Sequence, residues 1–212
     1  MVKRFAAVPA GAGAPVGFLS SLCRRVAAMR LSAVCFALFS CVSLTAAHAQ
    51  TDREAMIKAA IVFKLTRYVA WPENAFSAEP DSLRICLAGD PGMVAAMSEA
   101  QGREVDGRRV DVIPIKAAEG VVGCNMLYLG LGEADRLDDL AATLRENSVV
   151  SVSEIPSFAS SAGMIELVRR DRRFGFRINL ANARSSRIEV SAQLLDLAEV
   201  VDSGDSARSG NQ

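Results

Sequence analysis

Leu83-Arg84-Ile85-Cys86-Leu87-Ala88-Gly89-Asp90-Pro91-Gly92 decides the fold of this chain. The first six residues form a short apolar run of strand length. Gly89 to Gly92 then turn the chain into a helix predicted over Met93 to Gln101. A buried strand feeding directly into a helix is half of a parallel crossover unit, because parallel strands need a long connection between them. The pattern repeats downstream. Val121 to Leu129 carries another apolar strand, Gly130 to Gly132 turn, Glu133 to Asn147 reads as a helix, and Val149 to Val152 is a short strand. Between the two units, Val105 to Ile115 is extended, with a turn at Asp106-Gly107.

Upstream, Glu54 to Val69 reads as a helix, free of Gly and Pro and rich in Ala, Ile, Leu and Lys. Asp52 is its expected cap, and Trp71-Pro72 its stop. Ile57, Ala60, Ile61, Leu65 and Tyr68 make an apolar stripe at helical spacing, widened by Met56, Ala59, Val62 and Phe63. So broad an apolar surface suggests a sandwiched helix, or one that meets a partner such as a second copy in a homodimer.

Downstream, Met164–Val168 and Arg173–Ile178 are extended runs joined by charged residues, an antiparallel hairpin with alternating Phe174, Phe176 and Ile178. Asn179 can cap a helix beginning at Leu180, and a last helix is expected near Ser191–Val201. The predicted fold is therefore α/β: a single-domain three-layer sandwich with a mostly parallel sheet and an antiparallel C-terminal hairpin at one edge.

The N-terminus is a separate matter. Arg24, Arg25 and Arg30 lead into an uncharged apolar run, Leu31–Ala47, which ends at Ala47-His48-Ala49. This order reads as a signal peptide over residues 1–49, cleaved after Ala49, with translation starting at Met1 or Met29. The run is short for a membrane anchor, and polar residues follow it at once. Three of the five cysteines and the single histidine lie in that leader. The expected domain spans residues 50–201, and the polar residues 202–212 read as a disordered tail. Of the 24 Lys/Arg and 24 Asp/Glu, the leader holds five basic residues (Lys3, Arg4, Arg24, Arg25, Arg30) and no acidic one. The remaining 19 against 24 leave a net charge of −5, unfavourable for binding nucleic acid. A periplasmic location is oxidising, so Cys86 and Cys124 are read as a disulfide pair.

Catalytic chemistry finds few groups. Without histidine there is no Ser/His or Cys/His triad and no imidazole for a metal. Lys58, Lys64 and Lys116 are the lysines left for a Ser-Lys dyad, and none lies in a recognisable motif. Gly89-x-x-Gly92 lacks the spacing and the lysine of a phosphate-binding loop and reads as a tight turn. No enzyme activity, cofactor or metal is predicted. The candidate partner-binding residues are Trp71, as an interface anchor or a core side chain, and the basic cluster Arg169, Arg170 and Arg172. That cluster is either a contact for an anionic surface or a solvated hairpin tip.

Several blocks, taken in order, resemble the YfiR-type family of small periplasmic proteins. They are Lys58-Ala59-Ala60-Ile61-Val62-Phe63-Lys64-Leu65-Thr66-Arg67-Tyr68-Val69-Ala70-Trp71-Pro72, then Leu83 to Asp90, Gly107-Arg108 and Cys124 to Leu129. Gly163-Met164-Ile165-Glu166-Leu167, Arg173 to Asn179 and Ser191-Ala192-Gln193-Leu194-Leu195 complete the series. The resemblance implies a compact α/β sandwich, a cysteine pair at Cys86 and Cys124, and a non-catalytic role. It implies a periplasmic repressor that binds the periplasmic sensor domain of an inner-membrane diguanylate cyclase, so that release raises cyclic-di-GMP. The better-known type carries a second disulfide, for which this chain has no cysteine beyond Cys124. The alternative is a small-ligand-binding module with its pocket beyond Ala88 and Leu129, at the carboxyl ends of the strands.

Overall fold

The computed structural model describes residues 50–76, 82–116, 120–161, 163–171 and 173–202. The expected leader and its cleavage point, Arg172 and the tail from 203 onward lie outside the described residues.

The chain opens with helix α1 (residues 50–65) and strand β1 (Val69–Ala70). β2 (Ser82–Ala88), α2 (Pro91–Met97), β3 (Glu104–Val105), β4 (Arg108–Pro114) and β5 (Met126–Leu129) follow. Then come α3 (Leu137–Glu146), β6 (Val150–Ser153), β7 (Ile165–Arg170) and β8 (Arg173–Asn179). α4 (Leu180–Ser185), β9 (Glu189–Val190), α5 (Ala192–Leu195) and β10 (Ala198–Val201) complete the described elements.

One eight-stranded sheet runs in the order β10-β8-β7-β6-β5-β2-β4-β3. β4, β2, β5, β6 and β7 are parallel neighbours throughout. The antiparallel hairpin is β7–β8, with Arg170 opposite Arg173 at its tip and β10 lying parallel outside β8. At the far side, β3 and β4 are joined by Asp106-Gly107, both at positive φ (50° and 79°), as a two-residue hairpin of this hand requires.

Alternation along the central strands divides the core in two. Leu83, Ile85 and Leu87 of β2, with Met126 and Tyr128 of β5, pack with α1, α2 and α4. Cys86 and Ala88, with Leu127 and Leu129, pack instead with Leu140 and Leu144 of α3. Strands buried on both faces in this way account for their uninterrupted apolar runs. On the α3 side β6 presents serines, and their hydroxyls bind backbone that the sheet leaves unpaired. Ser153 Oγ donates to Leu129 O at 2.8 Å and accepts from Ile155 N at 3.0 Å, and Ser151 Oγ accepts from Met164 N at 3.0 Å.

Local signals hold where a side chain satisfies the backbone. Asp90 Oδ1 accepts from Met93 N at 2.9 Å and Pro91 follows it, so α2 starts at Pro91, two residues before the expected Met93. Asn179 Oδ1 caps α4 through Asn182 N at 2.9 Å. Elsewhere the structure differs from expectation. Asp52 lies inside α1 and does not cap it. α1 ends at residue 65, because Thr66 Oγ1 donates to Phe63 O and the chain turns into β1, which pairs with β9. The inward stripe of α1 is Ala55, Lys58, Ala59, Val62 and Leu65, while Ile57, Ala60 and Tyr68 face outward. The last helix is only α5. Ala198–Val201 is a strand, because pairing with β8 along four residues outweighs the helical spacing of its apolar side chains. Cys124 stands in a turn closed by its own N–H on Val121 O, just ahead of β5. Its neighbour Gly123 takes φ 86°.

Candidate binding surface around the first helix

α1 crosses one face of the sheet from the carboxyl ends of the parallel strands to their amino ends. Its first half carries the only lysine of the inward stripe. Lys58 Nζ donates to Glu154 Oε1 at 2.8 Å, just beyond β6, and to Asp90 Oδ2 at 3.3 Å, just beyond β2. Tyr128 Oη donates to the same Glu154 oxygen at 3.1 Å. Burial penalises the Lys58 ammonium, but the hydrogen bond and charge of Glu154, and then those of Asp90, outweigh it and raise its pKa above the ordinary 10.5. Burial, reinforced by the Glu154 and Asp90 charges, raises the Tyr128 hydroxyl well above its ordinary 10.0. This cluster ties α1 to two strand ends.

Both shifts have the same consequence for stability. A group whose pKa is higher folded than unfolded stabilises the fold below its unfolded pKa, and that stabilisation is lost as pH rises. The urea midpoint should therefore fall as pH rises above about 10, and Tyr128→Phe should flatten part of that fall. A midpoint that stays level across that range would contradict this account of the cluster.

At its other end α1 leads to Trp71. The indole Nε1 donates to Asn125 O at 2.8 Å, and the half-buried ring meets Phe76 edge-on at 5.9 Å. The Arg108 guanidinium lies 3.9 Å over the Phe76 ring. Trp71 thus helps close a small cleft of about 210 Å³ beside Leu83 and Val105. Arg169 and Arg170 lie at the opposite end of the sheet. Arg169 is paired with Glu54 of α1, whose hydrogen bond raises the arginine's pKa further. Arg170 Nη2 is 2.8 Å from Glu199, and Arg177 bridges Glu199 at 3.4 Å and the buried Glu166 at 3.6 Å. Arg169 and Arg170 are thus each matched by a carboxylate of the chain itself. The structure does not bring Trp71 together with either of them.

The carboxyl ends of the central strands are filled. A Cβ on Gly130 would lie 2.6 Å from Gly89 O, and one on Gly89 would lie 2.7 Å from Glu133 Cγ. The two turns beyond Ala88 and Leu129 therefore close on each other, where the alternative reading expected a pocket. Among the described residues no group of three or more His, Cys, Asp or Glu could hold a metal, and no helix is long and apolar enough to cross a membrane.

What remains open is the outer face of α1. Met56 and Ile57 are about half exposed. Ile61 and Tyr68 line a cleft of about 190 Å³ with Phe176, Leu194 and Leu197, the last 72% exposed. On the other flank α1 and α2 enclose a groove of about 310 Å³ over Ala59, Phe63 and Met97. Contiguous exposed apolar side chains of this kind mark interaction surfaces more often than isolated ones do. The breadth of the apolar stripe on α1 was the sequence signal for this surface. The Lys58–Glu154 pair, 96 residues apart, left only a lysine on the buried stripe as its trace.

The model of the YfiR/HmsC-like family matches residues 55–199. Among solved structures, the ligand-free, open structure of a substrate-binding protein with adhesive properties from Clostridium difficile is similar at a TM-score of 0.44 and 11% identity. The match covers 58% of this chain, and the chain spans 56% of that one.

Proposed function

The chain belongs to the YfiR/HmsC-like family, and from that premise we propose that it is a regulatory binding protein and not an enzyme. In this reading it is exported to the periplasm with cleavage after Ala49. There it restrains an inner-membrane diguanylate cyclase by binding that enzyme's periplasmic sensor domain. The Cys86–Cys124 disulfide suits an oxidising compartment. The observation that carries the reading is the apolar cleft beside α1, where Tyr68 and Leu197 stand exposed around a floor of Ile61 and Phe176. Aromatic and aliphatic side chains around a pocket are the usual anchors of a protein interface.

A photo-crosslinking residue in place of Leu197, introduced in living cells, tests this directly. The expected product joins the protein to a membrane protein that carries a cyclase domain. The same residue at Val122, which is 74% exposed in the turn ahead of Cys124, should give no such product. Equal products from both positions, or none from Leu197, would contradict the assigned surface. Leu197→Glu should weaken the association at least tenfold, since a hot-spot truncation costs about 2 kcal/mol or more.

A further inference from the structure

The groove on the other flank of α1 has a chemistry of its own. α1 and α2 lie side by side in the same direction. Ala55 faces Gly92 at one end, Lys58 bonds Asp90 next to it, and the Arg103 guanidinium sits 5.0 Å over the Phe63 ring at the other end. The groove between them runs from Met56 to Arg67. Over its helical part, Met56 to Lys64, that is roughly 12 Å at 1.5 Å per residue. Its floor is Ala59, Phe63 and Met97. Its charged residues are Lys64, Arg67, Glu99 and Arg103, and the three cations gather at one end while Met56 marks the other. A net positive rim on a chain that is otherwise net acidic is a local feature, and it is polarised along the groove.

Polarity chooses the occupant. An apolar floor with cations gathered at one end matches an apolar tail that carries an anionic head. We propose that the α1–α2 groove binds a free single-chain amphiphile with a carboxylate head. The acyl tail lies along Ala59, Phe63 and Met97 toward Met56, and the carboxylate is held by Lys64, Arg67 and Arg103. The inference goes beyond the regulatory reading and does not depend on it, because Tyr68 and Leu197 lie on the opposite flank of α1.

Calorimetry on the mature protein with caprate and laurate, each below its micelle concentration, tests the assignment. Laurate should bind, and each further methylene that becomes buried should tighten binding by up to about fourfold. Added salt should weaken it. The double variant Lys64→Glu/Arg67→Glu changes two exposed side chains, so the protein should melt as the wild type does while its laurate affinity falls at least tenfold. Ala60→Trp, at an exposed helix position that borders the groove, should block the tail. The proposal is overturned by any of four results. These are no binding of laurate, equal binding of dodecyltrimethylammonium, unchanged affinity after charge reversal, or binding only to anionic phospholipid vesicles with none to soluble laurate. The last would assign the basic end to a membrane surface.

Discussion

Replacing Cys86 and Cys124 together by alanine should remove about 4 kcal/mol of stability, a large part of the roughly 5–15 kcal/mol of an ordinary domain. The disulfide joins β2 to the turn ahead of β5, with Cα atoms 5.9 Å apart and a separation of 38 positions in the chain. In the chain-entropy account, reopening a loop of that length gives the unfolded ensemble back that much freedom. Both cysteines are also buried in the α3-side core against Leu127 and Phe158, so the alanines leave space that packing fills only in part. For a domain of this size the melting temperature should drop by roughly 8–16 °C. Wild-type protein treated with a reductant under unfolding conditions should move the same way, whereas the double variant should ignore the reductant. A loss below about 1 kcal/mol in the variant would contradict the loop-closure account.

Gly163→Ala should be nearly as damaging, at about 3 kcal/mol, although it adds a single methyl group. A Cβ at Gly163 would run into the ring of Phe158, which is fully buried among Leu140, Leu144 and Leu129. The neighbourhood cannot give way. Gly163 N donates to Phe158 O at 2.9 Å, and Gly163 O accepts from Asn182 Nδ2 at 2.7 Å. Asn179 Nδ2 fixes the same turn through Ala159 O at 2.7 Å, and the buried Glu166 accepts from Ala159 N at 3.2 Å. The methyl therefore either displaces the Phe158 ring or breaks one of these buried hydrogen bonds. Urea melts of Gly163→Ala, Phe158→Leu and the double variant separate the causes. A smaller side chain at 158 should absorb part of the alanine's cost, so the double variant should lose less than the two single losses combined. Strict additivity would place the damage elsewhere.

Gly163 also marks how far the sequence could be read. Its block, Gly163-Met164-Ile165-Glu166-Leu167, contributed to the family resemblance, but the reason only glycine fits there is a ring five residues away that the turn folds back. The strands were legible because the two faces of one sheet are both buried, which leaves short, wholly apolar runs. The Asp106-Gly107 turn and the Asn179 cap were legible because their chemistry is local. α1 was harder. Nearly all of its circumference is apolar, so periodicity selected Ile57, Ala60 and Tyr68, whereas the inward face is built on small Ala55 and Ala59 around a salt-bridged Lys58. Neither the carboxylates that pair that lysine nor those that pair Arg169 and Arg170 adjoin them in sequence. For Ala198–Val201 the competing terms were helical spacing and an open edge at β8, and the edge is invisible until the sheet is assembled.

The central claim is restraint of a cyclase from outside the inner membrane. The most direct test measures cellular cyclic-di-GMP in a strain lacking this gene, complemented with the wild type, with the double variant Tyr68→Glu/Leu197→Glu, or with a form that begins at Gln50 and has no leader. The account predicts a rise on deletion, a return to the starting level with the wild type, and no return with the other two while the double variant still accumulates as folded protein. Unchanged cyclic-di-GMP on deletion, or full restoration by the form without a leader, would contradict it.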